Sequence, residues 1–323
     1  MTSVDAFAER RFDFAQMMRA RGDSAAAIDL YREALEIAPD WAEAHFALAD
    51  ALDDTGDTEA ARNHYVEYLR LADIDIMGAE IRLALLGAAP MPERLPDAYV
   101  KTLFDQYAGR FDDSLLNKLG YSAPLQLQGL VERLRPVDWQ AARALDLGCG
   151  TGLAGEAFRL HCAHLSGIDL SPKMLKQAAR KNVYDDLREC DALSALTADA
   201  GPFELIVAAD VLGYVGALED LFAAVARTLA AKGLFVFSVE MSPAEDVILR
   251  EQHRYAHSAA YIRRLAAANG LEVRILEETS CRREKGIAVP HLVCALEATT
   301  PVHTPAEFEN GCENVTVTPS NLE

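Results

Sequence analysis

Residues 144–152 constrain the fold of this chain more than any other stretch, because an apolar strand there runs into a glycine-rich turn. Asp146 lies near the end of the strand, and Gly148, Gly150 and Gly152 follow at alternate positions before a predicted helix. A backbone without side chains lets a charged small molecule lie directly against it. This order of elements is typical of a doubly wound parallel sheet that binds a ligand where its strands end.

A second predicted strand ends in a carboxylate about twenty residues later. Asp169 closes this strand, and Ser171 and Pro172 begin the helix that follows. A carboxylate at this position can accept hydrogen bonds from both hydroxyls of a ribose. The two strand ends together predict a nucleoside-containing cofactor. The alternative is that Asp169 only caps the helix.

The glycines alone leave the class of cofactor open. Gly150, Gly152 and Gly155 fit the dinucleotide fingerprint G-x-G-x-x-G, which by itself is a weak signal. Gly148, however, is the glycine that closes the strand, and Asp146 precedes it. A carboxylate there repels a phosphate and favours an amino group, although Asp146 could also be a simple loop residue. The placement therefore disfavours a dinucleotide.

The order Asp-x-Gly-x-Gly-x-Gly, followed by Gly167-x-Asp169-x-Ser-Pro-x-Met-Leu, resembles the class I methyltransferases that use S-adenosylmethionine. The resemblance covers roughly residues 98–298 and implies an α/β fold with a Rossmann-like seven-stranded sheet whose last strand is antiparallel. It implies that Asp169 binds the ribose and that Asp191 reads the adenine amino group. The residues that it assigns to the cofactor are Asp146, Gly148, Cys149, Gly150, Gly152, Asp169, Leu170, Met174, Asp191, Ala192, Ala209 and Asp210. Met174 fits the core equally well, and Asp191 could be a turn residue.

From residue 143 the pattern alternates between strands and helices, with Gly and Pro marking the turns. The predicted strands are 143–147, 164–169, 186–190, 203–209, 232–239, 271–278 and 289–297. The predicted helices are 152–161, 172–181, 217–230 and 258–269. The polar residues 299–323 are predicted to be a disordered tail.

The first part of the chain contains an internal repeat. Gly22 recurs as Gly56 and Tyr31 as Tyr65, in each case 34 residues on, which is the period of the tetratricopeptide repeat. Residues 1–87 are therefore predicted to form an all-α repeat domain, followed by a proline-rich linker at 88–97. The repeats could present a plain solvated surface, or they could bind a protein partner or a second copy of the chain.

Two repeats rarely bury enough apolar surface to be stable alone. Residues 74–86 are therefore predicted to form a fifth helix that caps the stack. Ile76, Ile81 and Leu85 would lie on one side of this helix.

Residues 98–142 are predicted to be a helical extension of the second domain, beginning with an amphipathic helix at 97–111. The segment from Leu103 to Asp112 resembles the N-terminal lid of small-molecule methyltransferases of the ubiquinone C-methylase type. The resemblance implies that Tyr107 and Phe111 cover the cofactor and exclude water. The alternative is an ordinary apolar stripe in the core.

Methyl transfer is an in-line displacement that depends mainly on positioning, and it needs a base only when the acceptor must lose a proton. Glu240 ends the fifth predicted strand, and His253, Tyr255 and His257 follow on a predicted loop that leads into a helix. This run looks like a segment that lies over the substrate pocket in bacterial methyltransferases with tetratricopeptide repeats. The resemblance favours His257 as the base, with Tyr255 and His253 behind it, and Tyr214 and Glu240 in the substrate pocket. His257 could instead cap the helix.

Charge and composition exclude several function classes. The net charge of −19 disfavours a nucleic-acid partner. The longest basic cluster, residues 281–285, is interpreted as a solvated turn. No apolar run is long enough for a membrane span, and no signal peptide pattern begins the sequence. The six cysteines lack paired spacing, which indicates reduced thiols and a cytoplasmic location. His253 and His257 are too few ligands for a metal.

The whole organisation is similar to predicted bacterial methyltransferases that carry N-terminal tetratricopeptide repeats. This resemblance implies methyl transfer from S-adenosylmethionine to a small-molecule acceptor, with a lid closing over the cofactor. Three alternatives stay open: a protein methyltransferase whose repeats recruit the polypeptide, a binding protein without catalysis, and a dinucleotide oxidoreductase. The acceptor atom could be oxygen, nitrogen, carbon or sulfur.

Overall fold

The computed structural model describes residues 5–198, 201–243 and 246–299. The chain divides into two compact units, Met1–Tyr99 and Val100–Glu323. This division lies two residues beyond the end of the predicted linker. Most of the predicted tail, from residue 300 onward, lies outside the described residues. No helix in the described part is long and apolar enough to cross a bilayer.

The first unit is built from two helix–turn–helix repeats and a fifth helix, as the 34-residue period predicts. Asp23 and Asp57 accept hydrogen bonds from the backbone amides of Ala26 (3.1 Å) and Ala60 (3.2 Å), and so cap the second helix of each repeat. The helices are α1 (Ala6–Ala20), α2 (Ser24–Ile37), α3 (Ala42–Asp54), α4 (Thr58–Leu71) and α5 (Ala79–Leu85).

Helix α5 begins later than the sequence predicts. Asp75 accepts hydrogen bonds from the amides of Gly78 (2.7 Å) and Ala79 (3.0 Å), and Gly78 adopts a left-handed conformation with φ of 84°. The chain before Gly78 is therefore a turn. Ile76 lies in that turn with 46% of its surface exposed, whereas Ile81 is fully buried. The prediction that Ile76 lies on the apolar side of the helix was wrong.

A helical segment at residues 97–118 changes pitch twice. The predicted helix at 97–111 is α-helical only to Tyr107. Residues 97–118, which we call the lid, then contain a tighter turn and a wider one. In order, the elements are α6 (Asp97–Tyr107), a 3-10 turn at Ala108–Arg110, α7 (Phe111–Asp113) and a π-helical turn at Ser114–Lys118; α8 (Ala123–Leu134) follows.

The second unit contains a mostly parallel sheet, which confirms the predicted fold class. The order β3-β2-β1-β4-β5 is parallel throughout, β9 is antiparallel to β5, and β8 pairs with β9. Strand order reverses between β1 and β4, and ligands bind at such a switch point. The strands are β1 (Ala141–Leu147), β2 (Cys162–Asp169), β3 (Asp186–Glu189), β4 (Phe203–Ala208), β5 (Leu229–Met241), β6 (Val247–Arg250), β7 (Arg254–His257), β8 (Leu271–Glu284) and β9 (Ile287–Ala298).

Strands β6 and β7 form a hairpin that the sequence analysis missed, because it predicts a loop here. The sheet of the described residues therefore has nine strands, where seven are predicted. Strand β9 pairs with β5 as far as Glu240, so β7, which also pairs with Glu240, must lie on the other side of β5. That is the side of β4, whose pairing with β5 stops at Phe237. The hairpin thus extends the sheet just beyond the end of β4.

Helices cover both faces of the sheet, and alternate residues of β4 enter the two cores. Leu205 and Val207 pack with α8 on one face, while Ile206 and Ala208 pack on the other. The remaining helices are α9 (Leu153–Phe158), α10 (Pro172–Lys181), α11 (Ala192–Ala198), α12 (Glu219–Thr228) and α13 (Ala259–Ala268). Helix α11 is not among the helices that the sequence predicts.

Candidate active site

The turn after β1 is open where a ligand would lie against it. Gly148, Gly150 and Gly152 all have left-handed φ angles, of 64°, 54° and 91°. A Cβ atom on Gly148 would lie 2.3 Å from Val211, whereas one on Gly150 would meet nothing closer than Phe111 at 3.9 Å. The Cys149 amide donates a hydrogen bond to the Ile168 carbonyl (2.8 Å) and ties the turn to β2.

Asp146 has one carboxylate oxygen without a partner. The residue is 1% exposed, and its Oδ2 accepts a hydrogen bond from the Tyr184 hydroxyl (2.6 Å). Its Oδ1 is buried without a hydrogen-bond partner in the described structure. Burial raises the pKa of Asp146 to about 7, although the Tyr184 hydroxyl acts in the opposite direction. A buried acceptor without a partner is costly, so this oxygen fits an N–H donor on a ligand.

Tyr184, which no sequence motif indicates, fills the space behind the glycine turn. A Cβ atom on Gly155 would lie 2.4 Å from the Tyr184 ring, and one on Gly167 would lie 2.9 Å from it. The Tyr184 hydroxyl also accepts a hydrogen bond from the Gly155 amide (3.0 Å). Gly155, which completes an apparent dinucleotide fingerprint, therefore serves to accommodate an aromatic ring. No local spacing links Tyr184 to these glycines.

Asp169 is held by two backbone amides. Its Oδ2 accepts from Gly150 (2.9 Å) and its Oδ1 from Ser171 (2.8 Å). Burial raises the pKa of Asp169 to about 6, and these two hydrogen bonds act against that rise. A carboxylate has about four acceptor positions, so two remain for hydroxyl donors. Ser171, not Asp169, caps α10, because the Ser171 hydroxyl accepts from the Met174 amide (3.1 Å).

Several residues predicted to bind the cofactor lie between β2 and the first turn of α11. Leu170 and Ala192 are partly exposed, whereas Met174 is completely buried. The Asp191 carboxylate accepts hydrogen bonds from the amides of Leu193 and Ser194 (both 3.1 Å) and so holds the start of α11. The roles of Met174 and Asp191 in cofactor binding stay predictions.

Aromatic side chains of the lid meet a residue that follows β4. The Phe104 ring packs edge-on against Tyr214 (5.2 Å between centroids) and against Phe111 (6.0 Å). Tyr107 packs against Phe111 (6.2 Å), and its hydroxyl lies 3.1 Å from the Ser114 hydroxyl. The predicted lid residues Tyr107 and Phe111 thus belong to one aromatic cluster with Tyr214.

Two lid carboxylates fasten the lid to the glycine turn and to α10. Asp112 accepts a hydrogen bond from the Thr151 hydroxyl and lies 2.9 Å from the Lys181 ammonium group. Asp105 accepts a hydrogen bond from the Ser171 hydroxyl (2.6 Å). The lid is therefore bound to the glycine turn and to α10 by polar contacts.

A buried ion-pair network lies where β4 and β5 end. Asp210, with a left-handed φ of 61°, contacts Arg254 (2.5 Å) and Arg282 (3.1 Å). Glu240 contacts the same two arginines, each at 2.5 Å. Burial acts to raise the pKa of both carboxyl groups, but the two arginines outweigh it and hold both pKa values below their usual range. Asp210 and Glu240 are therefore ionised, and the two arginines compensate their charges.

The network reaches the aromatic cluster through Arg254. Its guanidinium donates a hydrogen bond to the Tyr214 hydroxyl (2.6 Å) and lies over the Tyr214 ring at 4.7 Å. On the other side, Arg282 lies 3.0 Å from His291 Nε2, and His291 Nδ1 lies 2.8 Å from the Val289 carbonyl. His291 Nδ1 is therefore assigned as the donor and Nε2 as the acceptor.

Comparisons with known proteins agree with this geometry. A family model described as a methyltransferase domain matches residues 145–237, and two tetratricopeptide-repeat models match residues 15–56 and 42–75. The ubiquinone biosynthesis O-methyltransferase of Thiobacillus denitrificans is 33% identical over 168 residues, which are 45% of this chain and 72% of that protein. The chain belongs to the S-adenosylmethionine-dependent methyltransferases.

Other relatives of this methyltransferase align over shorter parts of their length. The ubiquinone biosynthesis O-methyltransferase of Coxiella burnetii is 30% identical over 129 residues, which are 38% of this chain and 55% of that protein. The malonyl-[acyl-carrier protein] O-methyltransferase of Halorhodospira halophila is 30% identical over 55% of this chain and 60% of that protein. The structure of 1,6-didemethyltoxoflavin-N1-methyltransferase from Burkholderia thailandensis shares the fold, with a TM-score of 0.50 and 17% identity over 66% of this chain and 94% of that one.

The predicted catalytic residues of the methyltransferase lie in or beside the β6–β7 hairpin. His257 is 0% exposed, its Nε2 lies 3.1 Å from the Gly216 carbonyl, and burial lowers its pKa to about 4. Tyr255 is also completely buried, and His253 lies in the hairpin turn with φ of 57°. Ser258, not His257, caps α13. Their catalytic assignment stays a prediction.

Two arginines of the network escaped the sequence analysis. Arg254 lies between two residues proposed for catalysis and begins β7. Arg282 belongs to the basic cluster that is interpreted as a solvated turn, yet it is 5% exposed and lies in β8. For Arg282 that interpretation was wrong, because Arg282 contacts Asp210 and Glu240, which are far away in sequence. Arg283 and Lys285 are exposed, as predicted. Within the described residues, no group of three or more His, Cys, Asp or Glu could hold a metal ion.

Proposed function

We propose that this methyltransferase transfers a methyl group to a small-molecule acceptor at the carboxyl ends of β1, β4 and β5. The observation that carries the proposal is the unpartnered, buried Oδ1 of Asp146 beside a bare glycine turn. The relatives named as ubiquinone biosynthesis O-methyltransferases support a small-molecule acceptor and make an oxygen nucleophile the first class to test.

The residues around the turn fit S-adenosylmethionine. In this proposal Asp146 Oδ1 accepts a hydrogen bond from the amino group, the backbone of Gly148–Gly152 lies under the amino acid part, and Asp169 accepts from the ribose hydroxyls. Leu170 and Ala192 border the adenine, and Ala209 lies beside the sulfur. The bound cofactor supplies an electrophilic methyl group on a sulfonium.

The lid excludes water in this proposal. Phe111 faces Gly150, and the ring of Tyr107 packs on Phe111. Asp112 and Asp105 hold the lid to the two segments that border the cofactor. A closed lid protects the reacting atoms from hydrolysis and fixes the acceptor for in-line attack, and positioning can supply most of the rate enhancement of such a reaction.

The ion-pair network borders the proposed acceptor site. Asp210 and Glu240 stay ionised, and the positive charges of Arg254 and Arg282 balance theirs. These carboxylates therefore position their neighbours and do not take a proton from the acceptor. Tyr214, held by Arg254, faces the lid aromatics. We therefore place the acceptor beside the cluster that Tyr214 forms with the lid aromatics.

The experiment that tests this proposal follows a labelled methyl group. The purified full-length chain is incubated with methyl-labelled S-adenosylmethionine and an extract of small metabolites, and then with the protein fraction of the same cells. We expect label in the small-molecule fraction only, and lost when Asp169→Ala is used. Label only in precipitated protein would overturn the small-molecule proposal.

The proposal also includes a cytoplasmic location and an interaction role for the repeats. Cys149, Cys162, Cys281 and Cys294 are free thiols, as in proteins of reducing compartments. Helix α1 exposes Phe7, Phe14 and Met17, and a helix with such apolar residues can bind a partner or a second copy. Light scattering on the wild type and on Phe14→Ser would detect self-association, and no change in mass with concentration would count against it.

A further inference from the structure

We propose that Tyr184 is a positioning residue that orients the Asp146 carboxylate toward the amino group of the cofactor. This inference rests on the proposed function, because it concerns how the same site holds S-adenosylmethionine. Tyr184 itself would not contact the reacting atoms.

The two hydrogen bonds of the Tyr184 hydroxyl fix its direction. The hydroxyl accepts from the Gly155 amide (3.0 Å), so its own proton is free to point at Asp146 Oδ2 (2.6 Å). Because Oδ2 is occupied in this way, Oδ1 is the oxygen that lacks a partner. The tyrosine thus decides which carboxylate oxygen is presented to the ligand.

The Tyr184 ring has little freedom to move. Glycines from the turn, from α9 and from β2 surround it; a Cβ atom on Gly152 would lie 3.1 Å from the ring, and those on Gly155 and Gly167 would lie closer still. The backbone on either side is also fixed. Arg159 donates to the Val183 carbonyl (3.0 Å), and the Asp185 carboxylate accepts from the Leu165 amide (2.7 Å).

The groups around Asp146 determine its pKa, and Tyr184 is one of them. Asp169 on β2 raises the pKa of Asp146, and the Tyr184 hydroxyl lowers it. The other titratable groups that face Asp146 are Cys149, Cys162, Tyr121 and Tyr184 itself, and burial raises the pKa of each, so they are neutral around pH 7. Asp146 and Asp169 are therefore the groups that titrate near neutral pH at this point of the site.

Tyr184→Phe removes the hydroxyl and keeps the ring. Calorimetry on the full chain measures the affinities of the wild type and Tyr184→Phe for S-adenosylhomocysteine and for 5′-methylthioadenosine, which lacks the amino acid part. The measurements extend over about two pH units on either side of pH 7. We expect affinity for S-adenosylhomocysteine to fall ~10-fold, while affinity for 5′-methylthioadenosine changes less than about twofold.

The pH profile gives a second readout. An ammonium group prefers an ionised carboxylate, so wild-type affinity for S-adenosylhomocysteine should fall as the pH drops through about 7, the pKa of Asp146. In Tyr184→Phe the same fall should occur at a higher pH, because a hydrogen bond that lowers this pKa is gone. 5′-Methylthioadenosine should show no such shift.

Tyr261→Phe is the matched control. The Tyr261 hydroxyl also donates to a carboxylate, that of Glu219 (2.8 Å), and accepts from a backbone amide, that of Leu218 (2.9 Å), but it lies on α13. We expect this variant to lose stability without changing the ratio of the two affinities. If Tyr184→Phe behaves like this control, the positioning role is overturned.

Asp146→Asn provides a second test if Tyr184→Phe does not fold. Asparagine cannot ionise, so the pH dependence specific to S-adenosylhomocysteine should disappear; an unchanged pH profile would overturn the inference. Wild-type protein that binds neither ligand would refute the proposed function itself. Wild-type protein that binds both, together with an unchanged affinity ratio in Tyr184→Phe, would refute only the role of Tyr184.

Discussion

Arg282→Met tests whether the buried network holds the site together. The Arg282 guanidinium contacts Asp210 (3.1 Å), Glu240 (2.5 Å) and Glu284 (3.0 Å), and its side chain is 5% exposed. Methionine fills similar space but leaves the charges of Asp210 and Glu240 buried and half-compensated. Removing one partner of a buried ion pair typically destabilises a protein by about 3–5 kcal/mol.

That loss converts into a large shift of the melting temperature. For a unit of this size, 1 kcal/mol lowers Tm by about 2–4 °C, so Arg282→Met should lower it by about 6–20 °C. The assay is differential scanning calorimetry of the full chain at pH 7. The transition of the second unit is identified as the one that S-adenosylhomocysteine raises.

The adjacent Arg283 supplies the control. The Arg283 side chain is exposed and donates to the Gly286 carbonyl (2.8 Å), so Arg283→Met should change Tm by less than about 2 °C. In the double variant Arg282→Met/Glu240→Gln the loss should be smaller than the sum of the single losses, because one uncompensated charge is removed. Equal melting temperatures for Arg282→Met and Arg283→Met would refute the reasoning.

Three further predictions concern pH, the lid and the glycine turn. The pKa values of Asp210 and Glu240 are lowered in the folded state. Their contribution to the free energy of unfolding is therefore complete above about pH 5 and is lost as the pH falls below about 4. Urea titrations of the wild type at a series of pH values should show this decline. Asp112→Ala should speed the release of S-adenosylhomocysteine ~10-fold in stopped flow, since the lid loses its hydrogen bond to the glycine turn. Asp113→Ala removes an exposed ion pair and should not change the release rate. Gly148→Ala should abolish cofactor binding in equilibrium dialysis, because its Cβ would lie 2.3 Å from a neighbouring side chain; normal binding would contradict the tight turn.

The fold and the cofactor end of the site are encoded locally, which is why the sequence predicts them. The 34-residue repeat, the glycine turn and the carboxylate of Asp169 each need only a short segment to be recognised. Asp146 and Asp169 lie one strand apart, and parallel pairing brings Asp146 level with Gly167, two residues before Asp169.

The acceptor end of the site is encoded by contacts between distant segments. Arg254 and Arg282 meet Asp210 only because β7 and β8 are folded onto the same end of the sheet. The β6–β7 hairpin has short strands that contain arginines, so neither its length nor its hydropathy predicts strands. Tyr184 has no periodic neighbours, and its role depends on the absence of side chains at Gly155 and Gly167.

Equilibrium dialysis of the full chain against labelled S-adenosylmethionine and labelled NAD tests the central claim most directly. We predict one molecule of S-adenosylmethionine per chain, no retention of NAD, and loss of S-adenosylmethionine binding in Asp169→Ala. Retention of NAD, or equal retention of S-adenosylmethionine by the wild type and Asp169→Ala, would contradict the account.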